Sequence, residues 1–201
     1  MNIENLLSEY DVILASASPR RKELMGLICN DFRVIPSDCG EDIPEDIKPE
    51  DIAEYLSQIK CGCIAEVYRN ALVIGCDTVV ICDGKTLGKP KDEQDAKEML
   101  KMLSGKTHQV ITGVTISCGG KKSSFSVCTD VTFRTLSDED ISGYVQTGEP
   151  MDKAGAYGIQ GKGALLAEKI NGDFYNVVGL PVSELAAKLK EFISGKQRQD
   201  T

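Results

Sequence analysis

The sequence has one histidine, His108, no tryptophan, and no C-x-x-C pair among its eight cysteines. Each shortage removes a class of chemistry. A single histidine between a predicted helix end and a predicted strand supports neither a Ser-His-Asp nor a Cys-His nucleophile, and His108 is assigned no catalytic role. Cys29, Cys39, Cys61, Cys63, Cys76, Cys82, Cys118 and Cys128 lack the paired spacing of a zinc site, and one histidine cannot complete the ligand set. The same spacings do not suggest disulfides, so reduced thiols in a cytoplasmic protein are the expectation. No apolar stretch approaches the ~20 residues of a membrane span. Met1-Asn2-Ile3-Glu4-Asn5 has neither the basic start nor the apolar run of an export signal. Bases are also short, 23 against 31 acids, for a net charge of −8. A negative field repels nucleic acid and anionic membranes, so neither is expected as a partner.

What is present is the composition of a folded chain. Of 201 residues, 41% are hydrophobic, too many for disorder. The acidity is local. Asp38, Glu41, Asp42, Glu45, Asp46, Glu50, Asp51 and Glu54 face one base, Lys48, a net of −7; outside that stretch 23 acids meet 22 bases. The global sum therefore does not forbid one cationic site.

Periodicity predicts alternating strands and helices. Val12–Ala15 reads as a buried strand, and Ser18 as the N-cap of a helix with Pro19 in its first turn, running to about Gly26. Residues 32–36 form a second short strand, followed by the acidic loop. Ile52, Leu56, Ile59, Cys63 and Val67 recur at helical spacing, while Leu72–Cys82 is an apolar, β-branched strand turning at Asp83-Gly84. A helix from Asp92 to Leu103, a hairpin of 110–117 and 125–133, and a helix capped at Ser137 and reaching about Gln146 follow. Gly148–Gly163 shows no period. Strands near 165–170 and 175–178 precede a last helix from Pro181 to about Ile193. This order predicts one α/β domain over 1–194, with room for two lobes, and a polar, frayed tail over 195–201.

Two segments are chemically out of place. Ser16-Ala17-Ser18-Pro19-Arg20-Arg21-Lys22 puts three cations at a helix start, where the backbone dipole already favours anions. The two serine hydroxyls, the free N–H groups and the arginine forks suit a phosphate; the alternative is arginines that point to water or pair with surface acids. Asp77 stands inside the apolar run Leu72–Cys82. A carboxylate there is costly unless something pairs with it, so it reads as a catalytic base or metal ligand, or else as a structural cap. Gly75 beside it permits close approach. Gly84-Lys85-Thr86-Leu87-Gly88-Lys89-Pro90 fails as a phosphate loop, because its glycine spacing is one residue short and Pro90 replaces the Ser or Thr.

Taken together, Leu14-Ala15-Ser16-Ala17-Ser18-Pro19-Arg20-Arg21-Lys22-Glu23-Leu24, Gly75-Cys76-Asp77-Thr78-Val79-Val80, Gly88-Lys89-Pro90, Leu103-Ser104-Gly105 with His108, the run Glu149 to Gly161, and Val177-Val178-Gly179-Leu180-Pro181 resemble the Maf family. These are nucleoside triphosphate pyrophosphatases, also called septum-formation inhibitors. The resemblance covers residues 11 to 189. It implies a two-lobed fold like that of the inosine triphosphatases, with an extended mixed β-sheet and an active-site cleft between the lobes. It also implies hydrolysis between the α and β phosphates.

Arg20 stands where the 7-methyl-GTP branch tends to carry an aromatic residue, and Gln160 fits the branch acting on dTTP and UTP. On this resemblance Ser16, Ser18, Arg20, Arg21, Lys60, Thr78, Lys89 and Gln160 bind substrate. Asp77 activates water, and Glu41 with Asp77 holds a divalent cation, Mg²⁺ before Mn²⁺ or Co²⁺. The altered acidic motif Asp38-Cys39-Gly40-Glu41-Asp42 makes Glu41 the loosest of these matches. A homodimer is expected by family analogy. The rival reading is a nucleotide-binding regulator of septum formation acting through protein contacts.

Overall fold

A computed structural model describes residues 3–197 of the chain. Its elements in order are α1 (Ile3–Leu7), β1 (Val12–Ala15), α2 (Pro19–Met25), β2 (Arg33–Val34), α3 (Ile52–Val67), β3 (Leu72–Cys82), β4 (Lys85–Leu87), α4 (Glu93–Leu103), β5 (Thr107–Cys118), β6 (Lys121–Phe133), α5 (Asp138–Val145), β7 (Ala167–Asn171), α6 (Phe174–Val178) and α7 (Val182–Gln197). Short 3₁₀ turns join them at Pro49–Asp51, Glu149–Asp152, Ala154–Ala156 and Gly161–Leu165. The last four residues of the expected polar tail lie outside the described residues. Among the described residues no helix is long and apolar enough to cross a membrane.

The strands form one mixed sheet in the order β2-β1-β3-β5-β6-β7. β1 runs parallel to both β2 and β3, while β3, β5, β6 and β7 pair antiparallel. One edge of β3 is shared. β1 pairs Leu72 to Gly75, and β4 pairs Val80 to Cys82. Neither pairs Cys76 to Val79, so the sheet parts there, and that gap becomes the floor of a cleft.

Strand alternation distributes β3 between two layers. Val73, Val79 and Ile81 face α3, with Cys61, Ile64, Leu56 and Ile52 above them. Ile74 and Cys76 face α1, α2 and α7, and Val80 and Cys82 face α4 and α5. Two glycines set the height of α3. A Cβ on Gly113 would lie 2.2 Å from the Ala53 carbonyl oxygen, and one on Gly75 would lie 2.6 Å from the backbone of Cys61. Helix and sheet can approach this closely only because those positions carry no side chain. The Ser57 hydroxyl meets that of Thr115 at 2.7 Å in the same interface.

Local signals worked as expected at the helix starts. Ser18 and Ser137 each accept a first-turn N–H, and Ser137 with Asp140 forms a capping box; Asp92, expected as the first residue of α4, is its cap. Three expectations are corrected. The segment read as a strand near 175–178 is helix α6, because Asp173 caps it through the Tyr175 N–H and buried Asn176 turns inward to bond the Val110 carbonyl and Thr129. Its β-branched and aromatic residues carried a strand propensity that these tertiary bonds override. Helix α7 continues to Gln197, past the expected end at Ile193.

The third correction concerns the cysteines. Cys39 and Cys63 form a disulfide with Cα atoms 6.6 Å apart, so the expectation of reduced thiols throughout fails for this pair. Their separation of 24 residues offers no spacing signal, since the acidic loop meets α3 only in the fold. The other six cysteines keep their thiols.

Candidate active site

The parting of the sheet opens into a cavity of about 670 Å³. Its lining includes the β1–α2 turn, the acidic loop, one face of α3, mid-β3, the end of β4, the segment from Asp152 to Gln160, and the α6–α7 turn. Every residue expected to serve the site lies on its wall: Ser16, Ser18, Arg20, Arg21, Glu41, Lys60, Asp77, Thr78, Lys89 and Gln160.

Their roles divide once the hydrogen bonds are followed. Asp77 lies on the α3 face of β3, and Lys60, one helical turn beyond Leu56, comes down onto it. The Lys60 ammonium pairs with Asp77 Oδ1 and also with Glu41 Oε1 at 3.0 Å. The carboxylate inside the apolar strand is therefore paired, as burial requires. No hydrogen bond from a described residue reaches the second oxygen of Asp77, and the residue lines the cleft.

Thr78, next along β3, points to the opposite face and belongs to a directed chain. Arg21 donates to Thr78 Oγ1 at 2.9 Å, Thr78 donates to Thr112 at 2.9 Å, and Thr112 donates to the Asn176 carbonyl at 3.0 Å. Arg21 also donates to the carbonyls of Gly179 (2.8 Å) and Cys76 (3.0 Å) and to Ser16 Oγ (3.3 Å). Four of its five N–H groups are thus taken by protein acceptors, and it can offer one to a ligand. Arg21 ties α2, β3 and the α6–α7 turn together. Ser16 accepts from Arg21 and from the Ser18 N–H, and Ser18 caps α2.

The cations least tied to the protein are Arg20 and Lys89. Arg20 has one partner, Asp152, at 3.4 Å across the cleft mouth. Lys89 is exposed and forms no ion pair among the described residues. Lys153 also lines the cavity, but its ammonium is held by the Glu149 carbonyl at 2.5 Å and by Asp152 at 2.6 Å. Burial pushes the Asp152 carboxyl up, and Lys153 and Arg20 more than offset it, leaving Asp152 below its ordinary range.

Sequence reasoning passed over Lys153, Asp152 and Tyr144. Their only signal was the run of charged residues leading into a glycine-rich loop. His108 stays out of the cavity. It is buried, meets Tyr157 Oη through Nε2 at 2.7 Å, and stacks edge-on against Phe133. Burial lowers its pKa to about 4, so it is a neutral member of the core. Burial, then the nearby Glu149 carboxylate, pushes the Tyr144 phenol up to about 12 and keeps it a protonated hydroxyl.

The donor set fits a hard divalent ion. Glu41 and Asp77 present two carboxylates that already converge on one cationic atom, the Lys60 ammonium. No cluster of three or more His, Cys, Asp or Glu occurs among the described residues. Two carboxylates suffice for Mg²⁺ when substrate phosphates complete its shell.

A sequence model of the family described as Maf-like protein matches residues 11–192. A Bacillus velezensis protein named dTTP/UTP pyrophosphatase is 51% identical over 181 residues, covering 90% of this chain and 96% of that protein. Proteins of the same name from Bacillus pumilus and Bacillus cytotoxicus are 49% and 50% identical, over 90% and 91% of this chain and 96% of each of theirs. Among solved structures, the Staphylococcus aureus Ham1 protein aligns at a TM-score of 0.45 and 16% identity, over 61% of this chain and 71% of that one.

Proposed function

Since this chain belongs to the Maf-like protein family, we propose that its cleft hydrolyses dTTP and UTP to the nucleoside monophosphate and pyrophosphate. The observation that carries the reading is the division of labour in the cavity. A paired carboxylate with one oxygen not bonded by described residues, Asp77, lines the same cavity as Arg20, whose one partner is Asp152, and Lys89, which forms no ion pair among the described residues. Nearly full-length relatives at about half identity carry that activity in their names.

Asp77 takes a proton from water through its free oxygen, while Lys60 holds the other oxygen and fixes the carboxylate plane. The water oxygen bonds to the α phosphorus, the bridge to the β phosphorus breaks, and pyrophosphate leaves with the bridging oxygen. Arg20 and Lys89 hold the phosphate oxygens, and charge neutralisation with in-line positioning supplies most of the rate. Glu41 and Asp77 would hold Mg²⁺, with Mn²⁺ or Co²⁺ as substitutes; when bound, the ion adds positive charge to the phosphate oxygens. Gln160, on the cavity wall, offers a donor and an acceptor to the pyrimidine edge. The reaction belongs in the cytoplasm, with the nucleotide pool.

The test is pyrophosphate release across a panel of nucleoside triphosphates with added Mg²⁺. Turnover of dTTP and UTP at least tenfold above dGTP and dATP is the expected result. Release of single phosphates instead of pyrophosphate would sink the reading.

A further inference from the structure

Gln160 is exposed, and no hydrogen bond to its side chain fixes it among the described residues. Its position is set by the backbone of Gly158–Gly163, and that segment is held at both ends by side chains outside the substrate cavity. At the front, the Gly158 N–H donates to Tyr144 Oη at 3.1 Å. At the back, the Lys162 N–H donates to Glu149 Oε1 at 3.3 Å, and a Cβ on Gly161 would lie 3.1 Å from the same oxygen. The two pins are joined, because Tyr144 and Glu149 also interact with each other. The ends of the loop close on themselves too: a Cβ on Gly163 would lie 2.0 Å from the Gly158 carbonyl oxygen and 2.8 Å from Tyr144 Oη.

Tyr144 comes from α5, a helix packed in the α4 layer, and Glu149 opens the next turn. Both therefore stand on the side of the fold packed around α4. A loop pinned at both ends keeps Gln160 at a fixed distance from Arg20 and Lys89, the proposed phosphate-holding cations of the same cavity. A fixed span selects by base size, because a purine is one ring longer than a pyrimidine on the same sugar. A loop released at either end can retreat and admit it.

We infer that Tyr144 and Glu149 are positioning residues that set the base selectivity of the cleft by pinning the segment that carries Gln160. This rests on the pyrophosphatase reading above. Tyr144→Phe keeps the ring and removes the acceptor for Gly158. Glu149→Ala removes the acceptor for Lys162, whereas Glu149→Gln retains an oxygen there.

The measurement is the ratio of kcat/KM for dTTP to that for dGTP, by pyrophosphate release, in the full-length chain. Both substrates are assayed on the same preparation, so any loss of folded protein cancels. Tyr144→Phe and Glu149→Ala should lower the ratio at least tenfold, with the dTTP loss falling on KM more than on kcat. Glu149→Gln should stay within twofold of the parent ratio. Parent-like ratios in both Tyr144→Phe and Glu149→Ala overturn the inference and leave the activity standing. A parent protein that releases no pyrophosphate overturns the activity, and the inference falls with it.

Discussion

Lys60 and Asp77 face each other from different layers of the fold, a helix and the strand beneath it, and form an ion pair only 16% and 14% exposed. Neither charge would be tolerated there alone. Their meeting depends on α3 lying close against the sheet, which Gly75 and Gly113 permit.

Replacing Asp77 with Asn keeps the shape of the side chain and removes the proposed base. Pyrophosphate release from dTTP should fall at least ~100-fold, within the range typical of a lost general base. Release at the parent rate would show that another group activates the water.

The two adjacent arginines should respond differently to the same conservative change. Lysine cannot reproduce the fork by which Arg21 bonds Gly179, Cys76, Ser16 and Thr78. Arg21→Lys should cost about 3 kcal/mol and lower the melting temperature by roughly 10 °C. Arg20→Lys, at the partly exposed pair with Asp152, should leave the melting temperature within about 2 °C and act mainly on KM. Equal losses of stability would contradict this division.

Thiol titration reads the cysteine pairing directly. In denaturant the chain should present six thiols before reduction and all eight of its cysteines after it. Closing a loop of this length stabilises by about 3 kcal/mol in the chain-entropy account, so Cys39→Ser should lower unfolding stability by roughly that much. Eight reactive thiols without reductant would refute the pairing.

Acid should weaken the fold through His108. Its folded pKa is about 4, below the ordinary 6.5, because the core does not welcome the charge. The unfolded chain then binds the proton first as pH falls. The His108 contribution is fully present above about pH 6.5 and is lost as pH drops to about 4, at most about 3 kcal/mol. Urea unfolding at pH 7 and pH 4.5 measures the loss, and His108→Gln should reduce the difference between them. An unchanged difference would place the acid sensitivity elsewhere.

Much of this site was legible before the fold. Asp77 stood out because a carboxylate in an apolar strand needs a partner, and the three consecutive cations stood out because they oppose a helix dipole. Ser18 and Ser137 announced their helices because a cap acts on N–H groups two or three residues away. What failed to show was long-range. The strand propensity of residues 175–178 lost to the inward bonds of Asn176, and Cys39 met Cys63 with no spacing to predict it.

The sequence alone determined most of the elements, because caps, strand alternation and charge runs act within a few residues of chain, and its family resemblance named ten of the residues on the cleft wall. Only the tertiary structure decided how those residues are used. Arg20 and Arg21 are neighbours with the same side chain. One faces the cleft while the other is bound to acceptors 55, 57 and 158 residues away. A guanidinium binds whichever oxygens surround it, and those are chosen by packing rather than by the residues beside it.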